Sequence, residues 1–220
     1  MNPTQPRRLP RGPWRALFKH ALTLVDEIAR HGGREPLWTF GGGTALMLRY
    51  RHRRSRDIDI FVPDPQSLGH VSPRLSDVAG KVSLDYVEGA GYVKLVRAEG
   101  EIDFVAAPNL TARPFDLWRI AGREVRVETA AEIVAKKLWH RGDVVTARDI
   151  FDFSLAIERE PRALRRAARL LTRHRAEFLA QLANRVPVLE AQFNAIDRLD
   201  YRPTFKEASA KVSEFLRKLP

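Results

Sequence analysis

Apolar residues in the first third of the chain alternate between helical and strand-like spacing. Over residues 13–31 they recur every three or four positions, as in an amphipathic helix with one buried face, and Gly32-Gly33 ends the pattern. The shorter apolar run at residues 58–62 is closed by Pro63, as expected for a strand. The pattern predicts, in order, helix 13–31, strand 37–40, helix 44–50, strand 58–62 and a modest helix over 66–79.

The apolar pattern becomes strand-like from residue 82. β-Branched and aromatic residues become frequent, and short glycine-containing segments separate the runs, which is typical of antiparallel strands joined by tight turns. Three runs form a predicted meander, and two more, hinged at Ala121-Gly122, form a hairpin. The predicted strands are 82–87, 92–97, 102–106, 117–120 and 124–127.

From residue 129 the spacing of apolar residues is helical. The predicted helices are 129–141, 146–158, 161–183, 186–197 and 204–218. A mixed sheet flanked by a few helices and followed by a helical bundle is an α+β fold. We therefore expect three parts: a flexible basic tail at 1–12, an α+β domain at 13–128 and a helical domain at 129–220.

The composition narrows the class of protein. Cysteine is absent from the 220 residues, which excludes disulfides, zinc–thiolate sites and a cysteine nucleophile. No apolar run is long enough to span a membrane, and no apolar signal core is present, so we expect a cytoplasmic protein without a membrane partner. The 38 lysines and arginines outnumber the 27 acidic residues, for a net charge of +11. This excess fits either a polyanionic partner such as RNA or a coding bias towards arginine.

The most informative segment is the glycine-rich turn at Phe40–Leu46, which precedes the second predicted helix. Gly42 and Gly43 would allow a ligand to approach the backbone closely, and Thr44 could cap the helix or touch a phosphate. The free amide N–H groups of a helix N-terminus favour an anion. Because the segment lacks the Gly-Lys-Ser/Thr ending of a P-loop, it predicts a phosphate cradle of another kind.

Two carboxylates follow this turn on a predicted strand. Asp57 and Asp59 are two residues apart, so their side chains should share one side of the strand and could share a hard cation such as Mg²⁺. Asp103 is the candidate third acid because it interrupts an otherwise apolar strand, and Asp85 competes for that role. An Asp-x-Asp pair is by itself more often a surface pair. The preceding glycine turn is what favours the metal site.

A second set of charged residues lies on two predicted helices. Lys137, on the first of them, could neutralise charge on a triphosphate, and the adjacent Lys136 competes for that role. On the next helix, Arg148-Asp149 and Asp152 could act in catalysis or form an ion-pair cluster that ties the two helices together. The sequence leaves both interpretations open.

Arginine is concentrated beside the proposed carboxylate site. The cluster consists of Arg49, Arg51, Arg53, Arg54 and Arg56. One interpretation is a basic rim that grips nucleotide phosphates or an RNA end, and the other is a solvated loop. A later arginine run between residues 162 and 175 is more typical of an exposed helix face. His52 and His140 are interpreted as surface or phosphate-side residues rather than metal ligands.

The motifs that appear in this order resemble those of one known family. They are Phe40–Leu46, Arg54–Phe61, Glu101–Phe104, Glu132–Leu138 and Arg148–Asp152. Together they resemble the AbiEii/AbiGii-type nucleotidyltransferases of the DNA polymerase β-like superfamily, whose members often act as toxins of bacterial toxin–antitoxin pairs. The resemblance covers about residues 37–155. The helical region beyond has no matching motif, so the choice of acceptor does not carry over.

The resemblance implies a polymerase-β-like nucleotidyltransferase domain that uses Mg²⁺ to transfer NMP from an NTP. The metal ligands that it implies are Asp57, Asp59 and Asp103. The catalytic residues that it implies are these three acids with Lys137, Asp149 and Asp152. The nucleotide-binding residues that it implies are Gly42, Gly43, Thr44, Ser55, Arg56, Lys136 and Lys137.

Relatives of this kind have tRNA 3′ ends as one documented acceptor class, and we expect RNA to be the acceptor here. Known toxin members also have a cognate antitoxin, which is an expected partner. The alternatives are a nucleotidyltransferase that acts on a protein or a small molecule, a non-catalytic RNA-binding protein of the same fold, and an antitoxin-like partner. The net charge of +11 argues mildly against a small-molecule enzyme, which should prefer an acidic acceptor cleft.

Overall fold

The computed structural model describes residues 5, 6, 8–32 and 37–220. Its strands are β1 (Thr39–Gly41), β2 (Ile58–Val62), β3 (Tyr86–Gly89), β4 (Tyr92–Arg97), β5 (Gly100–Ala106), β6 (Phe115–Ile120) and β7 (Arg123–Glu128). They form one mixed sheet in the order β3-β4-β5-β2-β1-β7-β6. β2 runs parallel to β5 and β1 runs parallel to β7, whereas the other neighbours are antiparallel.

Helices flank this sheet and make up most of the second half of the chain. They are α1 (Trp14–Gly32), α2 (Gly42–Tyr50), a 3₁₀ helix (Pro65–Val71), α3 (Asp77–Val82), α4 (Ala130–Arg141), α5 (Ala147–Arg159), α6 (Pro161–Arg166), α7 (Ala168–Leu171), α8 (Arg175–Asn184), α9 (Val186–Asn194) and α10 (Phe205–Lys218). α1 packs on the sheet at β5, and α5 packs among α4, α9 and α10. The predicted α+β fold, a mixed sheet followed by helices, is confirmed.

Local capping fixes where α4 and α5 begin. Thr129 caps α4, and the Glu160 carboxylate accepts hydrogen bonds from the first two amides of the same helix. Thr146 and Asp149 form a reciprocal capping box at the start of α5. These caps satisfy amide groups that a helix leaves without partners, and they place the two charged helix faces against each other.

The segment after β2 differs from the sequence prediction. The single helix expected over 66–79 is a 3₁₀ helix followed by α3, because Asp64 and Ser76 each cap a separate start. The strand expected at 82–87 begins only at Tyr86, since Val82 still belongs to α3. The other predicted strands are found within one to three residues at each end.

The long helix expected over 161–183 is broken into α6, α7 and α8. Leu164, Leu171 and Phe178 are buried at seven-residue spacing, which is why the sequence alone predicts one straight helix. The packing partner changes along the segment, however: α6 and α7 contact α4, whereas α8 contacts α10. The chain bends to follow these two partners, and local periodicity carries no sign of that change.

The N-terminal segment also departs from the expected flexible tail. Gln5 exchanges two hydrogen bonds with the backbone of Arg119 on β6, at 2.8 and 2.7 Å. Leu9 packs against the hydrophobic core. Residues 1–4 and 7, and the predicted helix end at Gly33, lie outside the described residues.

One hydrophobic cluster includes residues from both halves of the chain, from α1 to α10. The division into an α+β part and a helical part at residue 128 stays a prediction. Among the described helices, none is both long and apolar enough to cross a membrane.

Candidate active site

The turn between β1 and α2 is built from glycines because side chains would collide with two acids there. Gly42 has a φ of +66°, and a Cβ on it would lie 1.9 Å from Asp59 Oδ2. A Cβ on Gly41 would lie 2.1 Å from Glu128 Oε2. Gly41 is the N-cap of α2, and no side chain of the described residues caps this helix. The amides of its first turn are thus open to an anion.

Two aspartates lie side by side on the central strands. β2 and β5 pair in parallel with Asp59 opposite Asp103. Asp57 directly precedes β2, and its Oδ1 accepts a hydrogen bond from the Glu101 amide at 3.1 Å. Asp57, Asp59 and Asp103 all line one cleft, whereas the competing candidate Asp85 is exposed outside it. The structure brings the three predicted acids together.

Asp59 carries a charge that the protein leaves unbalanced. Its carboxylate accepts no hydrogen bond and makes no ion pair within the described residues. Burial, followed by the neighbouring Asp103, raises the pKa of Asp59 to about 7. Burial also raises the pKa of Asp103, and Lys94, whose Nζ lies 3.4 Å from Asp103 Oδ2, opposes that shift. A desolvated pair of this kind favours a bound cation.

Adjacent lysines on α4 face different surroundings. Lys137 lines the cleft, with its Nζ 2.6 Å from Asp152 Oδ2 and 3.0 Å from Asp149 Oδ1. Lys136 is buried on another side of the helix, with its Nζ 2.5 Å from Glu128 Oε1. Lys136 therefore does not reach the cleft, contrary to the expectation that it binds nucleotide. Of the two, Lys137 is the lysine that a nucleotide could contact.

Asp152 is the centre of a buried ion-pair cluster. It accepts two hydrogen bonds from Arg53, both at 2.8 Å, and one from Lys137, and it lies 2.9 Å from His52 Nε2. Burial alone would raise the pKa of Asp152, but Arg53, Lys137 and His52 hold it well below its usual value. His52 is fully buried rather than at the surface, and burial lowers its pKa.

Asp149 belongs to the same cluster. Its Oδ1 lies 2.7 Å from Arg141 Nη2, and its Oδ2 accepts a hydrogen bond from the Thr146 hydroxyl at 2.6 Å. Neither Asp149 nor Asp152 lines the cleft, so the expected catalytic contact is not seen for either acid. They instead hold Lys137 and Arg141 in place, which is the ion-pair interpretation that the sequence left open.

The cleft has a volume of about 890 Å³, and its far wall comes from the C-terminal helices at Gln192 and the residues that follow α9. Backbone hydrogen bonds attach this wall to the segment before β2. The Arg54 amide donates to the Asp197 carbonyl at 2.8 Å, and the Leu199 amide donates to the His52 carbonyl at 2.9 Å. Sequence reasoning missed this ladder, because no local pattern marks a pairing between such distant segments.

A comparison with family models decides the family. The model described as "Nucleotidyl transferase AbiEii toxin, Type IV TA system" matches residues 24–218, which include the carboxylate strands and the helical wall of the cleft. The chain belongs to the AbiEii nucleotidyltransferase family. It is thus a nucleotidyltransferase, as the motifs predicted.

Two solved structures are similar to this AbiEii nucleotidyltransferase. JHP933 from Helicobacter pylori is 15% identical, with coverage of 96% of this chain and 92% of that chain and a TM-score of 0.49. The antibiotic-resistance factor ANT(2'')-Ia is 14% identical, with coverage of 78% and 98% and a TM-score of 0.47. At such identities the likeness concerns the fold alone. No curated protein matches the chain.

The acids of this AbiEii protein fit a hard divalent cation. Asp57, Asp59 and Asp103 offer only carboxylate oxygens, and no protein cation contacts Asp59 within the described residues. In the same part of the chain, no group of three or more His, Cys, Asp or Glu side chains is arranged to hold a metal ion by itself. A cation such as Mg²⁺ usually combines one or two carboxylates with waters and substrate phosphates, so an incomplete protein site suits it.

The remaining residues that were expected to bind nucleotide lie in different parts of the structure. Thr44 is fully buried, and its Oγ1 donates to the Asp57 carbonyl at 2.6 Å, so it neither caps α2 nor reaches the cleft. It ties the helix to the segment that carries Asp57. Ser55 lines the cleft. Arg56 is exposed and lines a neighbouring groove instead of the cleft, contrary to its expected role.

Proposed function

We propose that this protein transfers a nucleoside monophosphate from an NTP to the 3′ end of an RNA, such as a tRNA, in a Mg²⁺-dependent reaction. The observation that carries this proposal is the Asp59–Asp103 pair beside the open N-terminus of α2. The Asp59 carboxylate, which has no hydrogen-bond or ion-pair partner among the described residues, suits a cation, and open helix amides suit phosphates. The substrate that combines both is a metal-bound nucleoside triphosphate.

Each part of the cleft has its own task in this reaction. Asp57, Asp59 and Asp103 would hold Mg²⁺, which when bound offsets the charge of the triphosphate. The backbone amides of the glycine turn would bind phosphate oxygens. Lys137, held by the acids of α5, would supply a further positive charge at the triphosphate.

The chemistry is an in-line displacement at the α-phosphorus. The acceptor hydroxyl forms a bond to this phosphorus, the bond to the oxygen that bridges to the β-phosphorus breaks, and pyrophosphate leaves. Asp103, which lies opposite Asp59 in the sheet, would orient the hydroxyl and accept its proton. The protein performs little covalent work, so positioning and charge stabilisation account for the rate.

A radiolabelling experiment tests this proposal. The purified protein and its Asp59→Asn variant are incubated with Mg²⁺, with each α-labelled NTP in turn and with total bacterial RNA. We expect label in a tRNA-sized band with the wild type only, and its loss when EDTA is added. Label in a protein or a small molecule would contradict the RNA acceptor, and NTP binding that is absent altogether would contradict the whole proposal.

The family description supports a toxin role and a cognate antitoxin as a partner. We infer that production of the wild-type protein arrests bacterial growth through its transferase activity. Expression of wild type and Asp59→Asn at equal protein levels checks this. Equal growth of the two cultures would contradict the toxin role.

A further inference from the structure

A second groove adjoins the catalytic cleft. It has a volume of about 510 Å³ and shares Arg53, Arg54, Ser55, Asp57 and Arg148 with the cleft. The glycine turn and Lys137 line the cleft alone, whereas Arg11 and Arg56 line the groove alone. The two cavities thus meet at these shared residues, and the groove does not include the proposed triphosphate contacts.

The groove is strongly basic, and its arginines are of two kinds. Arg53 and Arg54, which it shares with the cleft, are already paired with Asp152 and Asp197. The other three are Arg11, Arg56 and Arg148, which make no hydrogen bond or ion pair with any described residue. Asp57 is the one acid among the described residues that line the groove. Three guanidinium groups are therefore available to an external anion.

The backbone that carries Arg11 is held against the start of α1. The Trp14 indole Nε1 donates to the Pro10 carbonyl at 3.1 Å, and Arg15 Nη2 donates to the Leu9 carbonyl at 3.0 Å. The Gly12 carbonyl also accepts a hydrogen bond from the Arg15 amide at 3.2 Å, so the backbone is held on both sides of Arg11, which lines the groove.

The chemistry of nucleotidyl transfer gives this groove a place in the reaction. In an in-line displacement the attacking hydroxyl and the leaving pyrophosphate lie on opposite sides of the phosphorus. The glycine turn and Lys137, the proposed triphosphate contacts, do not line the groove, and the groove meets the cleft at Asp57, so it is open to the acceptor. An acceptor that also matches several free guanidinium groups carries several phosphates, as a nucleic-acid strand does.

We propose that this groove binds the phosphodiester backbone that leads to the 3′ end of a nucleic-acid acceptor, with Arg11, Arg56 and Arg148 as its phosphate contacts. The proposal rests on the proposed nucleotidyl transfer and deepens it. Arg56, expected from the sequence to bind the nucleotide, contacts the acceptor instead.

Direct binding by the full chain tests the groove separately from transfer. Fluorescence anisotropy measures the affinity for a short fluorescein-labelled single-stranded RNA, without NTP, at several salt concentrations. The same measurement with DNA of equal sequence shows whether the groove recognises phosphates alone. The variants are Arg11→Gln/Arg56→Gln and, as a matched control, Arg166→Gln, an exposed arginine of α6 outside both cavities. Calorimetry measures the affinity for Mg²⁺–NTP.

The double variant should bind RNA roughly tenfold more weakly for each arginine removed. The slope of log affinity against log salt should fall by about 0.7 for each lost contact. The affinity of the double variant for Mg²⁺–NTP should match that of the wild type, and so should the affinity of Arg166→Gln for RNA. An equal loss with DNA would also support a phosphate groove.

An RNA affinity of the double variant equal to that of the wild type would overturn the proposal. It would also be overturned if Arg166→Gln lost as much RNA affinity as the double variant, or if the double variant lost as much affinity for NTP as for RNA. A wild-type protein that binds neither RNA nor DNA would overturn it too, even if NMP is transferred to another acceptor. RNA binding that depends on these arginines, with no transfer to any acceptor, would instead contradict the proposed function and leave the groove standing.

Discussion

One pair of aspartates, Asp59 and Asp103, lines the cleft and a second pair, Asp149 and Asp152, lies outside it, and the protein surrounds the two pairs differently. Asp59 and Asp103 lie on neighbouring strands, where burial raises both pKa values and no cation contacts Asp59 within the described residues. Asp149 and Asp152 lie on α5, where burial would also raise the pKa values. Lysine and arginine side chains instead lower them. Asp59 and Asp103 are half-buried and Asp149 and Asp152 are buried, so loss of solvent acts on both pairs, and the clearest difference lies in the number of cations that contact each acid.

This difference separates ligand binding from support. An acid without a protein partner keeps its charge for a substrate or a metal, at a cost in folding free energy. An acid covered by cations has its charge satisfied internally and acts by holding those cations in position. The sequence motifs contain aspartates of both kinds, and the residue type alone does not distinguish an aspartate without a protein partner from one that is covered by cations.

The largest expected effect comes from replacing Asp59, the acid without a direct protein partner. Asp59→Asn should lower NMP transfer by more than about 10²–10³-fold, since it removes a negative charge that would hold Mg²⁺ at the triphosphate. The free energy of unfolding should stay equal or increase, because the variant removes a half-buried charge that has no hydrogen-bond or ion-pair partner among the described residues. Transfer assays and urea unfolding measure the two effects. Asp85→Asn, an exposed acid outside the cleft, is the control, and full activity in Asp59→Asn would contradict the site.

The balanced pair should show the reverse behaviour. Asp152→Asn should lower the free energy of unfolding by about 3–5 kcal/mol, because it leaves Arg53 and Lys137 without their shared buried partner. Urea unfolding followed by circular dichroism measures this. A loss no larger than that of an exposed acid such as Asp85→Asn would show that the cluster does not support the fold.

The two lysines of α4 sharpen the same contrast. Lys137→Met should lower transfer by about tenfold to 100-fold, because it removes a charge that faces the triphosphate. Lys136→Met should chiefly lower stability, because it leaves buried Glu128 without its cation. Steady-state kinetics and thermal unfolding of both variants check this. Similar kinetic losses in the two would mean that their different positions have no functional meaning.

The smallest expected effect is a change in stability at acidic pH. Because the folded pKa of Asp152 lies well below its usual value, its stabilisation is fully present above about pH 4, where the carboxylate is ionised in both states. As the pH falls further, the unfolded chain takes up the proton first and the stabilisation is lost. The stability gap between wild type and Asp152→Asn should therefore be constant from about pH 7 to 5 and narrow below about pH 4. A stability gap that widens as the pH falls would contradict the predicted direction of the pKa shift of Asp152.

Much of the site could be predicted because its signals are local. Glycines at a strand–helix turn, alternation on β2 and a lone acid in an apolar strand each follow from a few adjacent residues, and they located Asp59 and Asp103. The roles of Lys136, Asp149 and Asp152 could not be settled in this way. Each depends on which charge lies across a helix–helix contact, and that partner is far away in the sequence.

The same limit applies to the fold. Periodicity found α4 and α5, whose caps are local, but it missed the break that separates α8 from α6 and α7 and the contacts of the segment around Arg11. Both depend on packing partners elsewhere in the chain. The pairing of Arg54 with Asp197 is a further case, because its two segments are isolated extended stretches with no strand pattern of their own.

That last pairing bears on when the enzyme becomes active during its synthesis. Chains emerge from the ribosome N-terminus first, and their folded units form in that order. The segment that precedes Asp57 is tied down by a stretch that is synthesised much later, at Asp197 and Leu199. A nascent chain that has not yet reached these residues therefore holds every acid of the motif but lacks this wall of the cleft.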